Sequence, residues 1–449
     1  MTPSRLVCAG CGWEPPAGAT TPFRCARSGT DDTDHVLAHR LAAGAVLDHG
    51  DDANPFVRYR EGLYAWHAAR ARGMSDRAFV DLVRRIDDRI ATVDGHGFRM
   101  TPLRREAALG ECLGLEVWVK NETGNVAGSH KARHLMGILL TLAVVEPGEE
   151  PPLAIASCGN AALAAAVLAR AASRALHVFV PPSAEPAVLE RLHALDAKVV
   201  SCPRVPGERG DPCVHRFHEA LRAGALPFCC QGNENGLAID GGETLVYEML
   251  GAGAPPLDDL VVQVGGGALA SACMQAFARA VAAGLLPRVP RVHTVQSRGA
   301  APLQRAWALV EQRRGSAGAE DALRYAAAHR SSFMWPWEEA PHSIAEGILD
   351  DETYDWVAVL RGMAATGGTT VVADEDTLRE ANRVAREETG IAVSHTGSAG
   401  LAGLMRLQRD GVIVPGARVA VLFTGVQRSP SRSLEASRST VSWPDRNST

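Results

Sequence analysis

The chain has 449 residues, of which 46% are hydrophobic and 22% charged, a composition typical of a globular protein with two or three domains. The formal net charge is −5 and no basic stripe is evident, which argues against a nucleic-acid-binding protein. The sequence has no apolar run of about 18 residues and no signal-peptide core, so we expect a cytoplasmic protein without a membrane partner.

Residues 1–45 contain a small segment with several cysteines and histidines. Cys8 and Cys11 form a C-x-x-C pair, and Cys25 follows after a turn-rich connector. Cysteines in this arrangement are typical of a zinc ribbon or knuckle. Because a second C-x-x-C is missing, the fourth zinc ligand would have to be His35 or His39. The alternative is a degenerate ribbon that folds without metal.

Helical periodicity follows over residues 57–95, where apolar residues recur three and four positions apart. Ser75 is the expected N-cap of the second half of this region. The next stretch predicts a turn, a helix that ends at Leu113 and the strand LEVWVK.

Beyond Lys131 the chain alternates between short apolar strands such as LAIAS and helices such as AALAAAVLARA, up to the strand VAVLF. Such alternation indicates βαβ units, so the predicted fold class is α/β with parallel sheets. Residues 429–449 are rich in Ser and Arg and are predicted to form a disordered tail.

Two strand-to-helix turns are candidates for ligand binding. In VVQVGGGALASA, the three glycines let backbone amides approach a phosphate at the start of a helix. The motif lacks GK[ST] and the spacing G-x-G-x-x-G, so a purely structural turn is an equal alternative. In ASCGNAAL, the amides from Ser157 to Asn160 could bind a carboxylate. Cys158 could be a nucleophile, but without an evident histidine partner we favour a small packing residue.

Lys131 follows Gly128 and Ser129 at the start of a predicted helix. A lysine that forms a Schiff base must lose its proton near neutral pH, and partial burial favours that loss. The alternative is a surface lysine, but the N-terminus of a helix is unfavourable for a cation.

The order of these motifs along the chain is specific, although each is weak alone. The residues are Lys120, Glu122, Asn125, Gly128, Ser129, Lys131, Arg133, Ser157, Gly159, Asn160, Gly265 to Gly267, Thr424 and Gly425. Their pattern resembles the fold type II family of pyridoxal 5'-phosphate (PLP) enzymes, the tryptophan synthase β superfamily, over about residues 98–428. Here His130 stands where the family usually has Phe, and Ala268 stands where it often has a fourth glycine.

The resemblance implies that Lys131 carries PLP as a Schiff base and acts as the base at the substrate Cα. It also implies that Asn160 contacts the pyridine hydroxyl and that Thr424 contacts the pyridine nitrogen. A neutral hydroxyl at that nitrogen favours elimination and replacement over transamination. The implied cofactor-binding residues are Asn160, Gly265, Gly266, Gly267, Ala268, Leu269, Thr424 and His130. The substrate carboxylate would contact Ser157, Cys158 and Gly159.

Two branches of the family are similar to this chain. The N-terminal cysteines and Thr424 resemble threonine synthases. The motif SHKAR, the run IDGGETLVYEML with Glu243 and Thr244, and IAEGI with Glu346 resemble threonine and serine dehydratases. The leading hypothesis is a PLP-dependent lyase that removes water and ammonia from a threonine- or serine-type amino acid by α,β-elimination. The alternative is a threonine synthase-like or β-replacement enzyme.

The resemblance also implies two lobes with open, twisted parallel sheets and PLP in the cleft between them. We expect a small mobile lobe at residues 134–232 and a large PLP-binding lobe at residues 46–133 and 233–428. An amino acid is the expected small-molecule partner, and a homodimer is the expected assembly.

Overall fold

The computed structural model describes residues 4–16, 18–19, 22–145, 150–205, 207–208 and 210–428. The predicted disordered tail, residues 429–449, lies outside the described residues. No helix in the described ranges is long and apolar enough to cross a membrane.

The strands are numbered in chain order. They are β1 (Arg5–Cys8), β2 (Leu37–Arg40), β3 (Leu103–Arg105), β4 (Glu116–Asn121), β5 (Leu153–Ala156), β6 (Leu176–Val180), β7 (Lys198–Ser201), β8 (Leu226–Pro227), β9 (Asp259–Gln263), β10 (Arg291–Ser297), β11 (Thr370–Ala373) and β12 (Arg418–Phe423).

The α-helices are numbered in the same way. They are α1 (Pro55–Arg58), α2 (Tyr64–Ala71), α3 (Asp76–Asp94), α4 (Ala107–Leu113), α5 (Lys131–Val145), α6 (Asn160–Ala171), α7 (Pro186–Ala194), α8 (Pro212–Arg222), α9 (Ala238–Gly251), α10 (Ala268–Ala282), α11 (Pro302–Ala317), α12 (Ala319–Ala328), α13 (Trp356–Thr366), α14 (Glu375–Thr389) and α15 (His395–Arg409).

Two sheets carry the α/β fold, which confirms the predicted fold class. The larger sheet has six strands in the order β11-β10-β9-β12-β4-β3, and the smaller has four in the order β7-β6-β5-β8. All pairs are parallel except β3 with β4. β3 is thus an antiparallel edge strand beside the otherwise parallel strands of the larger sheet. A third, two-stranded antiparallel sheet pairs β1 with β2 at the N-terminus.

The larger sheet is covered on both faces, as its continuous apolar strands require. Successive residues of β9 point to opposite faces. Leu260 and Val262 belong to one apolar cluster with α10 and α13, and Val261 belongs to another with α14 and α15. The four-stranded sheet shares a third cluster with α3, α5 and α6. The predicted lobe boundaries stay a prediction.

The helical region 57–95 contains one more break than the sequence predicts, because its first half is divided. A 3-10 turn at Arg60–Gly62 separates α1 from α2, and α3 starts separately. Ser75 is the N-cap of α3, since its side chain accepts a hydrogen bond from the Ala78 amide at 3.1 Å. Each break is short, so the average apolar spacing does not reveal it.

The topology brings the ends of distant strands together. β9 and β12 are neighbours, although the chain leaves β9 towards β10 on its other side. In the smaller sheet β5 likewise lies between β6 and β8. In open α/β sheets such points form crevices at the carboxyl ends of the strands. Gly265, Thr424 and Ser157 follow these three strand ends.

Candidate active site between the two sheets

One cleft of about 250 Å³ lies between the carboxyl ends of the two sheets. It brings together every residue that the sequence predicts to carry catalysis, cofactor binding or carboxylate binding. These residues are His130, Lys131, Ser157, Cys158, Gly159, Asn160, Gly265, Gly266, Gly267, Ala268, Leu269 and Thr424. Their individual roles stay predictions.

Lys131 is the lysine that lines this cleft. The sequence contains three lysines, and the other two are Lys120, which is fully buried, and Lys198, which is exposed on β7. The residues before Lys131 are anchored to the end of β12. The His130 amide donates to the Thr424 carbonyl at 3.1 Å, and Ser129 bridges to Gly425. The start of α5 is thereby held against a neighbouring strand end.

Arg133, two residues after Lys131, belongs to a buried ion network. Its Nε donates to Glu122 at 2.8 Å and its Nη1 to Glu248 at 2.6 Å. Lys120 also pairs with Glu248 and donates to the Thr101 carbonyl at 2.7 Å. Burial alone would raise the pKa of Glu122, but the nearby charges of Arg133 and Lys120 outweigh it and lower that pKa to about 2. Several motif residues therefore support α5 from the protein interior.

Two buried histidines lie beside Lys131. His130 and His134 form an edge-to-face pair with ring centroids 5.5 Å apart. Burial, followed by the Lys131 charge, lowers the pKa of both rings, and that of His134 to about 3. The His134 Nδ1 therefore donates to the Ala238 carbonyl, 2.7 Å away, from a neutral ring. Neither ring adds positive charge to the cleft near neutral pH.

The glycine turn after β9 has no room for side chains. A Cβ atom at Gly265 would lie 2.3 Å from the Asp350 carboxylate, and one at Gly266 would lie 2.8 Å from Tyr354. Gly267 has a φ of +94°, which L-residues with side chains rarely adopt. α10 begins directly after it, so these glycines bring backbone amides to a helix N-terminus that faces the cleft.

Thr424 has a partner that sequence reasoning missed. The Nε2 atom of Gln263 lies 2.8 Å from the Thr424 hydroxyl and also faces the carbonyls of Thr396, Gly397 and Leu422. Because the three backbone groups can only accept, the NH2 group of Gln263 must face them. Thr424 then accepts from Gln263 and keeps its own hydroxyl hydrogen to donate.

Asn160, the first residue of α6, is oriented by Arg428. The Nη1 atom of Arg428 donates to Asn160 Oδ1, and its Nη2 donates to the Ala127 carbonyl at 2.8 Å. This leaves the Asn160 amide hydrogens available as donors on the cleft side. The end of β12 and the residues after it thus position both a hydroxyl and an amide.

Cys158 lines the cleft, and its surroundings disfavour a thiolate. Desolvation and the nearby Glu346 carboxylate raise the pKa of this thiol. This agrees with the preference for a non-nucleophilic cysteine. Asp211, Glu346 and Asp350 also line the cleft, and Asp350 and Asp211 were not anticipated from the sequence.

A family model described as pyridoxal-phosphate dependent enzyme matches residues 96–425. The chain belongs to this family. Its members use pyridoxal phosphate, and the predicted resemblance to fold type II PLP enzymes is confirmed.

Relatives of this PLP-dependent enzyme include two threonine synthases. The protein from Methanocaldococcus jannaschii is 25% identical over 349 residues, which cover 76% of this chain and 78% of the relative. The protein from Mycobacterium leprae is 26% identical over 331 residues, which cover 72% of this chain and 80% of the relative.

Solved structures of other proteins share the fold. Maize serine racemase has a TM-score of 0.59 at 18% identity and covers 80% of this chain and 96% of its own. Threonine deaminase isoform 2 from Solanum lycopersicum has a TM-score of 0.58 at 15% identity, with coverages of 80% and 94%. At these identities the likeness concerns the fold alone.

The cleft fits the cofactor of the PLP-dependent family. The Gly265–Gly267 turn offers amides without side chains for a phosphate, and Lys131 Nζ is available in the same cleft. Asp350 lies beside this turn, and burial raises its pKa while Lys131 opposes the rise. The raised pKa reduces the negative charge that a phosphate would meet there.

The predicted metal ligands lie outside the cleft. Cys8, Cys11, Cys25 and His35 place their ligand atoms within 4.8 Å of one another. His39 instead pairs with Asp240 at 3.1 Å. The structure thus separates the two histidines that the sequence left as alternatives.

Among the site residues, Gln263, Glu248 and Arg428 were missed by sequence reasoning. Gln263 ends β9 shortly before the glycine turn, and its polar side chain after the apolar run LVV was the one available signal. Glu248 and Arg428 show no signal of their own in the sequence. Each contacts a partner more than 100 positions away in the chain, which is Arg133 for Glu248 and Asn160 for Arg428.

Proposed function

We propose that this PLP-dependent enzyme is a lyase that removes water and ammonia from a β-hydroxy amino acid of the serine or threonine type. The charge of the cleft is the observation that carries the proposal. Of the lining residues that the structure describes, Lys131 is the cation, since the His130 ring is neutral, whereas Asp211 and Glu346 are acidic and lie in the cleft besides Asp350 at the glycine turn. Such a lining suits a substrate whose side chain is neutral.

A phosphorylated substrate would need a second anion site besides that for the cofactor phosphate. Proteins usually build such sites from arginine or lysine side chains. Arg428 touches the cleft residue Asn160, but its guanidinium already serves Asn160 and the Ala127 carbonyl. Glu346 and Asp211 would repel a phosphate dianion. The cleft is therefore better suited to a hydroxyl leaving group than to a phosphate.

Lys131 has two roles in this proposal. Its Nζ would hold the cofactor covalently, and the free amine would accept the proton from the substrate Cα. When bound, PLP withdraws electrons from Cα. The anchoring of residues 128–130 to the end of β12 and the buried ion pairs of Arg133 fix the base of this side chain, so the amine can leave and return to one position.

The remaining contacts orient the reacting groups. The amides of Ser157–Gly159 at the start of α6 would bind the substrate carboxylate, as helix N-termini favour anions. Asn160 would donate to the pyridine hydroxyl. Thr424, which accepts from Gln263, would donate to the pyridine nitrogen and keep it unprotonated. An unprotonated pyridine withdraws electrons less strongly than a protonated one, and this favours elimination over transamination.

The second candidate is a threonine synthase-like or β-replacement activity. Sequence relatives named threonine synthase at 25% and 26% identity favour it. It requires either a phosphate leaving group or an external nucleophile. The acidic lining argues against the first requirement and leaves the second open.

The deciding experiment supplies the PLP-loaded enzyme separately with threonine, serine and O-phosphohomoserine. Production of 2-oxobutanoate or pyruvate together with ammonia would support the lyase. Threonine and inorganic phosphate from O-phosphohomoserine, with no keto acid from the hydroxy amino acids, would refute it in favour of the alternative.

The three lysines allow a matched control. Borohydride reduction followed by peptide mapping should place the pyridoxyl group on Lys131. Lys131→Ala should abolish both this label and turnover, whereas Lys198→Ala on β7 should preserve both. A label on Lys120 or Lys198 would refute the assignment. We also propose that the enzyme is a homodimer, which light scattering on the purified protein tests directly.

A further inference from the structure

Four potential metal ligands meet near the N-terminus, away from the cleft. Cys8 lies at the end of β1, Cys11 in the turn that follows, and Cys25 and His35 in the long connection to β2. Their ligand atoms all lie within 4.8 Å of one another. Residues 22–36 form neither helix nor strand, so this connection depends on side-chain contacts for its shape.

The distances suit a tetrahedral zinc site. Cys11 Sγ and Cys25 Sγ are 3.6 Å apart, and Cys8 Sγ and His35 Nδ1 are 3.4 Å apart. Two thiolates on one tetrahedral zinc ion, each about 2.3 Å from the metal, are separated by about 3.8 Å. The pairs therefore have nearly the spacing of ligands on one ion. Four protein ligands leave no open position, as in structural zinc sites.

The second nitrogen of His35 is already oriented. His35 Nε2 lies 2.9 Å from Asp31 Oδ1, which leaves Nδ1 directed at Cys8. A carboxylate on the far nitrogen is the usual outer contact of a zinc-bound histidine, because it fixes the ring and the tautomer. His39 has no such relation to the cysteines, since its Nδ1 pairs with Asp240.

The cysteines also replace a hydrophobic core. The segment from β1 to β2, here called the N-terminal module, has an apolar cluster of Cys8, Cys25 and Leu37, with Cys11 and Trp13 packed against it. So small a cluster contributes little burial, and small modules of this kind are commonly held by a metal or disulfides.

The same connection contacts the large lobe next to the glycine turn. Asp34 precedes His35; its carboxylate accepts from Trp356 Nε1 at 3.0 Å, and its amide donates to the Ala327 carbonyl at 2.7 Å. Trp356 begins α13, and the amide of the preceding Asp355 donates to the Gly266 carbonyl at 3.1 Å. A short chain of contacts thus links the cysteine cluster to the proposed phosphate site.

We propose that Cys8, Cys11, Cys25 and His35 bind one structural zinc ion, and that this ion holds the N-terminal module against α13 and so supports the glycine turn from behind. The ion takes no part in the reaction. Its removal affects the affinity for PLP through Asp34, Trp356 and Asp355.

Metal analysis of the full-length protein, purified with reductant, tests the site. We expect about one zinc per chain, released when a mercurial reagent titrates the thiols. Cys25→Ser and His35→Gln should lose zinc, whereas Cys112→Ser, an exposed cysteine on α4, and His39→Gln should retain it. A protein that is folded as purified but contains no zinc, or a Cys11–Cys25 disulfide in peptide maps of unreduced protein, would overturn the site.

The coupling has its own test, which does not depend on knowing the reaction. The dissociation constant for PLP is measured by absorbance titration before and after zinc removal, and for Trp356→Phe with zinc retained. Both changes should raise it, the single lost hydrogen bond of Trp356→Phe by about five- to tenfold. An unchanged dissociation constant in the zinc-free protein would refute the coupling while leaving the metal site intact.

Discussion

Replacing Arg133 by methionine tests whether the motif around Lys131 is built on buried charge. The guanidinium makes five hydrogen bonds, and the glutamates on both sides of it are almost fully buried. In Arg133→Met, Glu122 and Glu248 would share Lys120 as their remaining cation in the network. Removal of one partner from a buried ion pair typically costs about 3–5 kcal/mol. We expect the free energy of unfolding to fall by that amount.

The pH dependence of unfolding gives an independent value for the contribution of the Glu122 ion pairs to stability. Glu122 has a pKa of about 2 in the fold in place of the ordinary 4.5, which corresponds to roughly 3 kcal/mol. Because this pKa is lowered, the contribution is complete above pH 4.5 and is lost as the pH falls towards 2. The variant lacks the contribution, so the stability difference from the wild type should shrink between pH 5 and pH 3.

Urea unfolding followed by circular dichroism measures both effects. Arg383→Met on α14 is the matched control, since Arg383 pairs with Glu380 and Glu387 on the exposed surface, where ion pairs contribute little. We expect no measurable change in the control. Equal unfolding midpoints for Arg133→Met and the wild type, or equal losses in both variants, would refute the proposed importance of the buried network.

Three further changes test other parts of the site. Gly267→Ala introduces a Cβ 2.9 Å from Thr353 at a φ of +94°, whereas Gly284→Ala has a similar φ of +73° in open space. The control Gly284→Ala should lose about 1 kcal/mol of stability and keep its affinity for PLP. Gly267→Ala should lose more stability and bind PLP at least about tenfold more weakly in absorbance titrations. Gln263→Met leaves the acceptors around Nε2 without their donor, so we expect about 1–3 kcal/mol lower stability in urea and slower keto acid formation. The control Gln275→Met should change neither quantity measurably. A Gln263→Met variant with wild-type stability and turnover would contradict the role of Gln263 in orienting Thr424. Burial, followed by the nearby Asp34 charge, raises the pKa of Asp355 to about 7. The unfolded chain therefore loses this proton at lower pH than the folded protein, and the stability falls as the pH rises from about 4 to 7. Between pH 5 and pH 8, Asp355→Asn should therefore gain about 3 kcal/mol of stability relative to the wild type, and a constant difference across this range would show that Asp355 stays ionised.

Local patterns in the sequence determine much of this enzyme. Apolar runs of strand length predict β5, β6, β9 and β12, because a strand covered on both faces is apolar at every position. The glycine turn after β9 is visible because close packing leaves no room for a side chain. Lys131 stands out because it begins a helix behind small residues. These signals lie within a few residues of one another, so one segment contains the whole pattern.

The pairings between distant segments needed the tertiary structure. Nothing near Gln263 indicates that its amide meets Thr424, 161 positions later, because β9 and β12 become neighbours only in the folded sheet. Glu248 joins Lys120 and Arg133 only once α9 packs on α5.

The N-terminal histidines show the same division. Spacing made His35 and His39 equal candidates for the metal, since both follow the three cysteines. The fold turns His35 towards Cys8 and places His39 on β2 against Asp240 of α9. The sequence by itself thus determined the fold class, and it predicted Lys131 and the cysteine and histidine metal ligands. The tertiary structure alone decided which polar groups meet, because a buried partner is chosen by geometry over long separations and leaves no periodic trace in the chain.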